Sequence, residues 1–255
     1  MTTSQSSPFI RNLASSSRTT RDRALTQLRT YLTHKKDFSD LDFLKLWKGL
    51  FFSMWMSDKP KSQQRLAIDL GSLFQVLYSS EENFLGFARA FWQTMSREWG
   101  GIDALRMDKF LFLVRRVVGE GFAFVASKGW KKEGLLERYL AVLEEVPLSV
   151  RDVKVPNGLR FHVVDIWVDE LEKADAEHKA PVQLVLTPLR VLSKESPTKS
   201  VRKRVGEALE DERLGEWEGG LEKKPVEEES TFVEGKASNL VEAESEDEEF
   251  TGFED

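Results

Sequence analysis

Three clusters of basic side chains are the residues best placed to do chemistry, and the chemistry they suit is contact with phosphate. The first cluster follows the N-terminus, the second is split between two segments in the middle of the chain, and the third stands near residue 200. The members are Arg11, Arg18, Arg21, Arg23 and Arg29; Arg115, Arg116, Lys131 and Lys132; and Lys199, Arg202, Lys203 and Arg204. Phosphate contact needs only positive charge within reach, so the clusters could rest on RNA without reading its sequence. A solvated helical face has the same composition, and the third cluster could also be a nuclear import element.

Residues typical of catalytic and metal centres do not form a recognisable set. The histidines, His34, His162 and His178, fall in no metal-binding spacing, and the chain has no cysteine. Glycines such as Gly71 and Gly86 stand singly inside helical patterns, where no phosphate loop can form and close helix packing is the better explanation. No serine lies in a Gly-x-Ser-x-Gly motif. We therefore predict that the protein is not an enzyme and has no cofactor, no metal and no small-molecule substrate.

The aromatic residues have two possible uses. Seven tryptophans and seventeen phenylalanines could stack on the bases of single-stranded RNA. The spacing favours a hydrophobic core instead, because Trp47, Phe51 and Trp55 share one helical face with leucine and methionine. Trp99 and Trp130 stand at predicted helix boundaries, and these two are expected to be exposed.

The net charge of −6 conceals an uneven distribution along the chain. Residues 210–255 hold 18 acidic and 4 basic side chains and carry −14, so the rest of the chain carries +8. A basic body of this kind suits a polyanionic partner, although many helical proteins without one look similar. No stretch reaches the roughly 18 apolar residues that a membrane span needs, so we expect a soluble, unsecreted protein without a membrane partner.

Apolar residues recur at helical spacing from residue 24 to residue 192, which predicts an all-α protein. The pattern indicates about eight to ten helices of roughly 12 to 20 residues with short connections. Such helices stack as antiparallel hairpins, so we predict an irregular α-solenoid of the HEAT or armadillo type rather than a closed bundle. The expected breaks are the pair Gly100-Gly101 and, further on, Gly119 and Gly121.

The segment from Leu44 to Leu70 is the most distinctive part of the sequence. It predicts an almost wholly apolar helix that ends at Ser57-Asp58, followed by a helix that begins at Pro60, because proline at the first helical position leaves no extra donor unsatisfied. A well-capped hairpin would explain this turn. Packing and capping do not explain all of its polar residues, so we predict that it also contacts partners. The residues concerned are Lys59, Lys61, Gln63 and Gln64.

The same segment resembles the eukaryotic nucleolar family called ribosomal RNA processing protein 1. Members carry a near-identical Leu-Trp-Lys-Gly-Leu-Phe…Met-Trp…Ser-Asp-Lys/Arg-Pro…Gln-Gln stretch, matched here within Leu44–Leu70. Further matches follow at Asp108–Arg116 and Asn157–Ile166, and the resemblance spans roughly residues 8 to 209. It implies a stacked-helix fold, a location in the nucleus and nucleolus, and a non-catalytic role as an assembly factor of the pre-60S ribosomal particle that is required for pre-rRNA processing. It also implies partners in that particle, among them a WD-repeat propeller protein, a Brix-domain protein and the pre-rRNA.

Composition divides the chain into three predicted parts: a flexible N-terminus at residues 1–7, a helical-repeat domain at 8–214 and a disordered acidic tail at 215–255. The alternative function is that of a general armadillo-like adaptor that binds proteins and has no association with RNA. The arrangement of the basic clusters distinguishes the two hypotheses. The nucleolar role favours clusters on one surface, and the adaptor favours clusters scattered around an apolar groove.

Overall fold

The computed structural model describes residues 8–13, 15, 17–130, 132 and 134–217, which form helices and connecting turns. The α-helices are α1 Pro8–Leu13, α2 Arg18–His34, α3 Asp40–Trp55, α4 Pro60–Gly71, α5 Leu73–Val76, α6 Glu81–Glu98, α7 Ala104–Ser127, α8 Leu135–Glu145, α9 Asn157–Asp165, α10 Trp167–Ala174, α11 Val182–Val185, α12 Thr187–Glu195 and α13 Lys199–Leu209. Short 3₁₀ helices lie at Trp99–Gly101 and Glu212–Glu216. The described residues include no strand, which confirms the predicted all-α class. In this part of the chain no helix has the length and apolar character needed to cross a membrane.

The helices form two layers, and each α-helix contacts at least one helix of its own layer that is not adjacent in the chain. In the first layer, α1 packs on α3, α3 on α6, α6 on α8, and α8 on α11 and α12. In the second layer, α2 packs on α5, α4 and α5 on α7, α7 on α9 and α10, and α9 on α13. Contacts such as α3 with α4 and α12 with α13 join the layers. This repeated pairing within layers confirms the predicted α-solenoid.

Helix starts follow local sequence rules. Ser39 and Asp42 form a complete capping box at the start of α3, in which each side chain accepts from the backbone N–H of the other residue. Pro60 is the first residue of α4, as predicted. The glycine pair at 100 and 101 lies in the 3₁₀ helix that separates α6 from α7. These positions depend only on neighbouring residues.

The predicted break at Gly119 and Gly121 is wrong, because α7 runs without interruption from Ala104 to Ser127. A glycine inside a helix costs about 1 kcal/mol relative to alanine, but here the missing side chains admit neighbouring helices. A Cβ on Gly121 would overlap the Tyr139 hydroxyl of α8. A Cβ on Gly119 would lie 2.7 Å from Glu170 Oε2 of α10. Packing therefore outweighs helix propensity at both positions.

Several predicted helices are in fact two shorter helices in series. The apolar pattern continues across each break, at Ser72, Ile166 and Leu186, so that several helices are shorter than the predicted 12 to 20 residues. At the last break the cause is local, since Pro188 has no N–H to continue a helical ladder and instead lies in the first turn of α12. Periodicity reports which face is buried, and it does not report whether the helix axis continues.

The aromatic residues fill the core, with corrections to three tryptophans. Trp47 is buried, and its Nε1 donates to the Phe87 carbonyl at 2.9 Å. Trp99 and Trp130 are also buried, so the prediction that they are exposed is wrong. Trp55, expected in the core, is only half buried, because it stands at the last position of α3.

The ordered body extends past the boundary predicted at residue 214. Trp217 is 2% exposed, and its Nε1 donates to Asp175 Oδ2 at 2.8 Å. The same buried carboxylate accepts from Trp130 Nε1 at 3.2 Å and from the backbone N–H of Ala180 at 2.7 Å. Three donors thus satisfy Asp175, and one of them comes from the segment assigned to the tail. The chain divides into two units, Met1–Glu222 and Lys223–Asp255, and the predicted N-terminus at 1–7 and the tail after Trp217 lie outside the described residues.

Candidate interaction surfaces

Side chains that are not part of the α3–α4 turn hold it in place. Lys109 of α7 is buried, and its Nζ donates to the backbone carbonyls of Trp55 and Ser57, each at 2.8 Å. Gln63 of α4 donates through Nε2 to the carbonyls of Ser57 at 2.8 Å and Asp58 at 3.2 Å. These bonds satisfy carbonyls that the end of α3 leaves without helical partners, and the ammonium group lies at the negative end of the helix dipole. The turn is therefore rigid.

The polar residues of this turn have different roles. Gln63 is structural, which corrects the expectation that capping does not explain it. Its role was not evident because its acceptors are backbone atoms five and six residues away. Lys59, Lys61 and Gln64 point into solvent and remain candidate partner contacts.

The three segments that carry the family resemblance meet at α7. Lys109 connects the segment at 108–116 to the turn of the first segment. His162, in the third segment, forms a hydrogen bond between its Nε2 and the Leu111 carbonyl at 2.8 Å. Burial lowers the pKa of His162, and Arg115 adds to that effect, whereas the bond to Leu111 opposes it. Much of the distinctive sequence thus fixes how α3, α7 and α9 are arranged.

The N-terminal basic cluster lies along α1 and α2 and gains a member that sequence reasoning missed. Arg65 of α4 forms an ion pair with Asp22, with 3.5 Å between Nη2 and Oδ1, and Asp22 also pairs with Arg18. Arg11 and Arg23 are exposed, and Arg21 donates to the Ser15 carbonyl at 2.6 Å. Burial raises the pKa of Asp69, and Arg65 and Arg29 beside it oppose that shift. Arg65 could not be assigned from sequence, because only the packing of the second layer brings α4 to α2.

Arg115 and Arg116 are paired with carboxylates inside the second layer. Arg115 Nη1 lies 3.0 Å from Glu170 and 3.2 Å from Asp169 of α10. Arg116 Nη2 lies 3.3 Å from Glu120, a buried carboxylate that also accepts from Gln75 and Tyr78. Burial acts to raise the pKa of Asp169, but hydrogen bonds from Arg213 and Arg115 outweigh it and lower that pKa. These arginines hold α5, α7 and α10 together and have little charge left for phosphate.

Of the remaining basic residues, Lys132, Lys203 and Arg204 are exposed and form ion pairs. Lys132 pairs with Glu81 of α6, and Lys131 lies outside the described residues. On α13, Arg204 makes a two-pronged contact with Asp165, at 2.6 and 2.7 Å. The other members of the third cluster are Lys199, which is exposed, Arg202, which donates to the Ser196 carbonyl, and Lys203, which lies 3.6 Å from Glu207.

The predicted clusters do not form a single basic surface in the described part of the chain. The first cluster adjoins Arg116, because Arg29 donates to Ser72 and the neighbouring Gly71 leaves room for the Arg116 side chain. Lys132 lies instead beside α6 in the first layer, and α13 packs on α9 and α12. The described members of the predicted clusters are therefore distributed over both layers.

Comparison with known proteins identifies the family. The sequence profile described as Nucleolar protein, Nop52 matches residues 4–253, nearly the whole chain. The chain belongs to the Nop52 family. Its predicted location in the nucleus and nucleolus agrees with the family description. The predicted resemblance to ribosomal RNA processing protein 1 is also confirmed by the relatives described next.

Curated relatives of this Nop52 chain share the name ribosomal RNA processing protein 1. Homolog B of Homo sapiens is 42% identical over 170 residues, which cover 65% of this chain and 22% of that protein. Homolog A of Homo sapiens is 39% identical over 65% of this chain and 36% of that protein. The Caenorhabditis elegans homolog is 38% identical over 71% of this chain and 45% of that protein. The chain thus spans less than half the length of these relatives.

Proposed function

We propose that this Nop52 protein acts in ribosome biogenesis as a non-catalytic assembly factor of the pre-60S particle, where it holds other factors in place and is needed for pre-rRNA processing. The observation that carries the proposal is the family match over residues 4–253, together with relatives that are named for ribosomal RNA processing. The role in rRNA processing rests on that match directly. The assignment to the pre-60S particle rests on the resemblance of the three sequence segments.

The arrangement of side chains supports a scaffold. Catalysis requires convergent polar groups with access to a substrate. In the described residues the buried charged side chains of Lys109, Glu120 and Asp175 instead form hydrogen bonds with other parts of the protein. No group of three or more acidic, histidine or cysteine side chains in that part could hold a metal ion. The interlocked helices present extended, rigid faces, which suit binding of other macromolecules.

Proteins account for more of the expected contacts than RNA. Arg115, Arg116 and Arg204 are paired with carboxylates, so their charge is not free to neutralise phosphates. The proposed partners are a WD-repeat propeller protein and a Brix-domain protein, with pre-rRNA present in the same particle. Direct RNA contact, where it occurs, is assigned to the N-terminal arginines.

Depletion of the protein followed by sedimentation tests this function. A tagged full-length chain should co-sediment with precursors of the large-subunit rRNA, and its depletion should make those precursors accumulate while small-subunit precursors mature normally. A chain that sediments without precursor rRNA, with unchanged rRNA processing after depletion, would favour the general adaptor instead. If the chain co-sediments with precursor rRNA but its depletion leaves rRNA processing normal, the protein is associated with the particle and is not required for processing.

A further inference from the structure

The outward face of α3 is a stripe that combines large apolar and basic side chains. Leu41, Phe52 and Met56 are 57%, 44% and 63% exposed, and Lys45 and Lys48 lie between them on the same face. Met56 is the residue immediately after the helix. The spacing of four, three, four and four residues keeps all five side chains on one side of the helix. We call these five residues the α3 stripe.

The described part of the chain leaves the α3 stripe uncovered. α3 contacts α1 and α6 within its own layer and α4 and α7 in the other layer, and these contacts bury Phe43, Trp47, Leu50 and Met54 on the opposite side. Phe52 is held by an edge-to-face contact with the buried Phe51 ring, with centroids 5.6 Å apart. This contact restricts the orientation of the Phe52 ring.

Trp55, the last residue of α3, is covered only in part. The Arg106 guanidinium lies 4.9 Å from the ring centroid of the half-buried Trp55. Leu105, the residue before Arg106 in the chain, is 94% exposed at the start of α7. Exposed apolar residues are common singly, but several of them on one helix face together with basic residues are typical of an interaction site.

The charge of the α3 stripe indicates what kind of partner it fits. After Asp42, α3 carries no carboxylate, so the face from Lys45 to its end has only positive charge. RNA phosphates would pair with the lysines, but RNA has no aliphatic surface against which Leu41 and Met56 could be buried. A helix with apolar residues on one side and acidic residues along their edges satisfies both features.

We propose that the α3 stripe binds an acidic amphipathic helix of another protein. This inference rests on the proposed function only in that the partner is sought in pre-ribosomal particles. Phe52 and Met56 supply the main apolar contacts, and Lys45 and Lys48, which lie between Leu41 and Phe52, pair with carboxylates of the partner. Buried apolar contacts dominate binding energy, whereas exposed charges contribute mainly to the association rate and its dependence on salt.

Site-specific cross-linking identifies the occupant. The full-length chain carrying the photo-reactive amino acid p-benzoylphenylalanine in place of Phe52 is irradiated in nucleolar extract, and the cross-linked peptides are sequenced. The expected product is an acidic segment of another protein with apolar residues at helical spacing. Cross-links to RNA, to a second copy of this chain or to another segment of the same chain would overturn the proposal, as would the absence of any cross-link.

Titration with the cross-linked segment, made as a synthetic peptide, measures the contribution of the stripe. Phe52→Ser combined with Met56→Ser should weaken binding to the full-length chain by at least about tenfold, because central contact residues typically contribute more than 1 kcal/mol each. Ile68→Ser with Val153→Ser, two comparably exposed apolar residues outside the stripe, is the matched control. Equal affinity of the two double variants would contradict the proposal.

The lysines are tested through salt dependence. Lys45→Gln with Lys48→Gln should reduce affinity at low salt and flatten its decline as ionic strength rises, relative to Lys154→Gln with Lys194→Gln at exposed positions elsewhere. An unchanged salt dependence would reject the acidic character of the partner. Co-sedimentation of the unaltered chain with precursor rRNA, measured in the same extract, tests the proposed function separately.

Discussion

Gln63 and Gln64 are neighbours in the chain but differ in their contacts, since Gln63 donates to two turn carbonyls and Gln64 is exposed. We expect Gln63→Ala to lower the free energy of unfolding by about 0.5 to 2 kcal/mol, because the Ser57 and Asp58 carbonyls lose a donor. Gln64→Ala should stay within about 0.5 kcal/mol of the unaltered protein. Urea unfolding of both variants measures the difference, and equal effects would show that Gln63 does not hold the turn.

Protonation of His162 should make the stability of the protein depend on pH, and the direction of that dependence follows from its lowered pKa. Burial holds its pKa below the ordinary value of 6.5, so the unfolded chain takes up a proton more readily than the folded one. The stabilisation is present above pH 6.5 and is lost as the pH falls from 6.5 through the folded-state pKa. We expect the stability difference between the unaltered protein and His162→Gln to shrink between pH 7 and pH 5. Urea unfolding of both proteins at several pH values between 7 and 5 measures this difference, and a difference that stays constant would contradict the prediction.

Single residues were predictable where their partners are close in sequence. The capping box of Ser39 and Asp42 spans three residues, so spacing alone was enough to locate the start of α3. The burial of Trp130 depends on Asp175, 45 residues away, and no local pattern reports that distance. For the same reason Arg115 was considered a candidate phosphate contact, although its carboxylate partners lie on α10.

At the scale of elements, α7 depends on glycine to approach its neighbours. Gly121→Ala would place a methyl group against the buried Tyr139 hydroxyl, so we expect a loss of about 1 to 3 kcal/mol from overpacking between α7 and α8. Gly206→Ala on α13 has open space and should gain up to about 1 kcal/mol from helix propensity. Thermal unfolding compares the two, and a stable Gly121→Ala protein would mean that α8 can shift without cost.

The α3–α4 turn combines a fixed backbone with exposed lysines, which separates folding from binding. Lys59→Glu with Lys61→Glu removes no hydrogen bond found within the described residues, so helical content and melting temperature should change little. If the turn contacts partners, recovery of assembly factors with the tagged chain should fall. Lys154→Glu with Lys194→Glu, at exposed positions outside the predicted contacts, is a control of equal charge change. Recovery that is the same for both double variants would show that the turn is only a connection.

The sequence predicted which side of each helix is buried better than it predicted where a helix is interrupted. The apolar period located the buried sides of α3, α6 and α7 correctly, because burial imposes that period on any helix that packs. It did not locate the interruptions at Ser72 and Ile166, where two short helices keep one shared buried side. The short connections between helices predicted the stacked arrangement. The packing of α4 on α7 could be recognised only in the structure.

At the scale of the whole molecule, the position where the body ends can be measured. A chain that stops after Leu214 lacks Trp217 and leaves Asp175 without its 2.8 Å indole donor. Loss of a buried tryptophan costs about 3 to 5 kcal/mol, so this truncation should unfold at markedly lower urea concentration. A chain that stops after Trp217 should match the full-length protein within about 0.5 kcal/mol. Equal stability of the two truncated chains would show that the body ends at residue 214, as the sequence predicts.

The contact between Asp175 and Trp217 also sets an order of events during translation. Asp175 and Trp217 are 42 residues apart, so at about 5 to 20 residues per second the ribosome needs roughly two to eight seconds to pass from one to the other. Throughout that interval the nascent chain contains the carboxylate and Trp130 but not the indole that completes their bonding. The last part of the body therefore closes only after residue 217 has been made and released from the exit tunnel. A pause within that interval would prolong exposure of the apolar surface that Trp217 later covers.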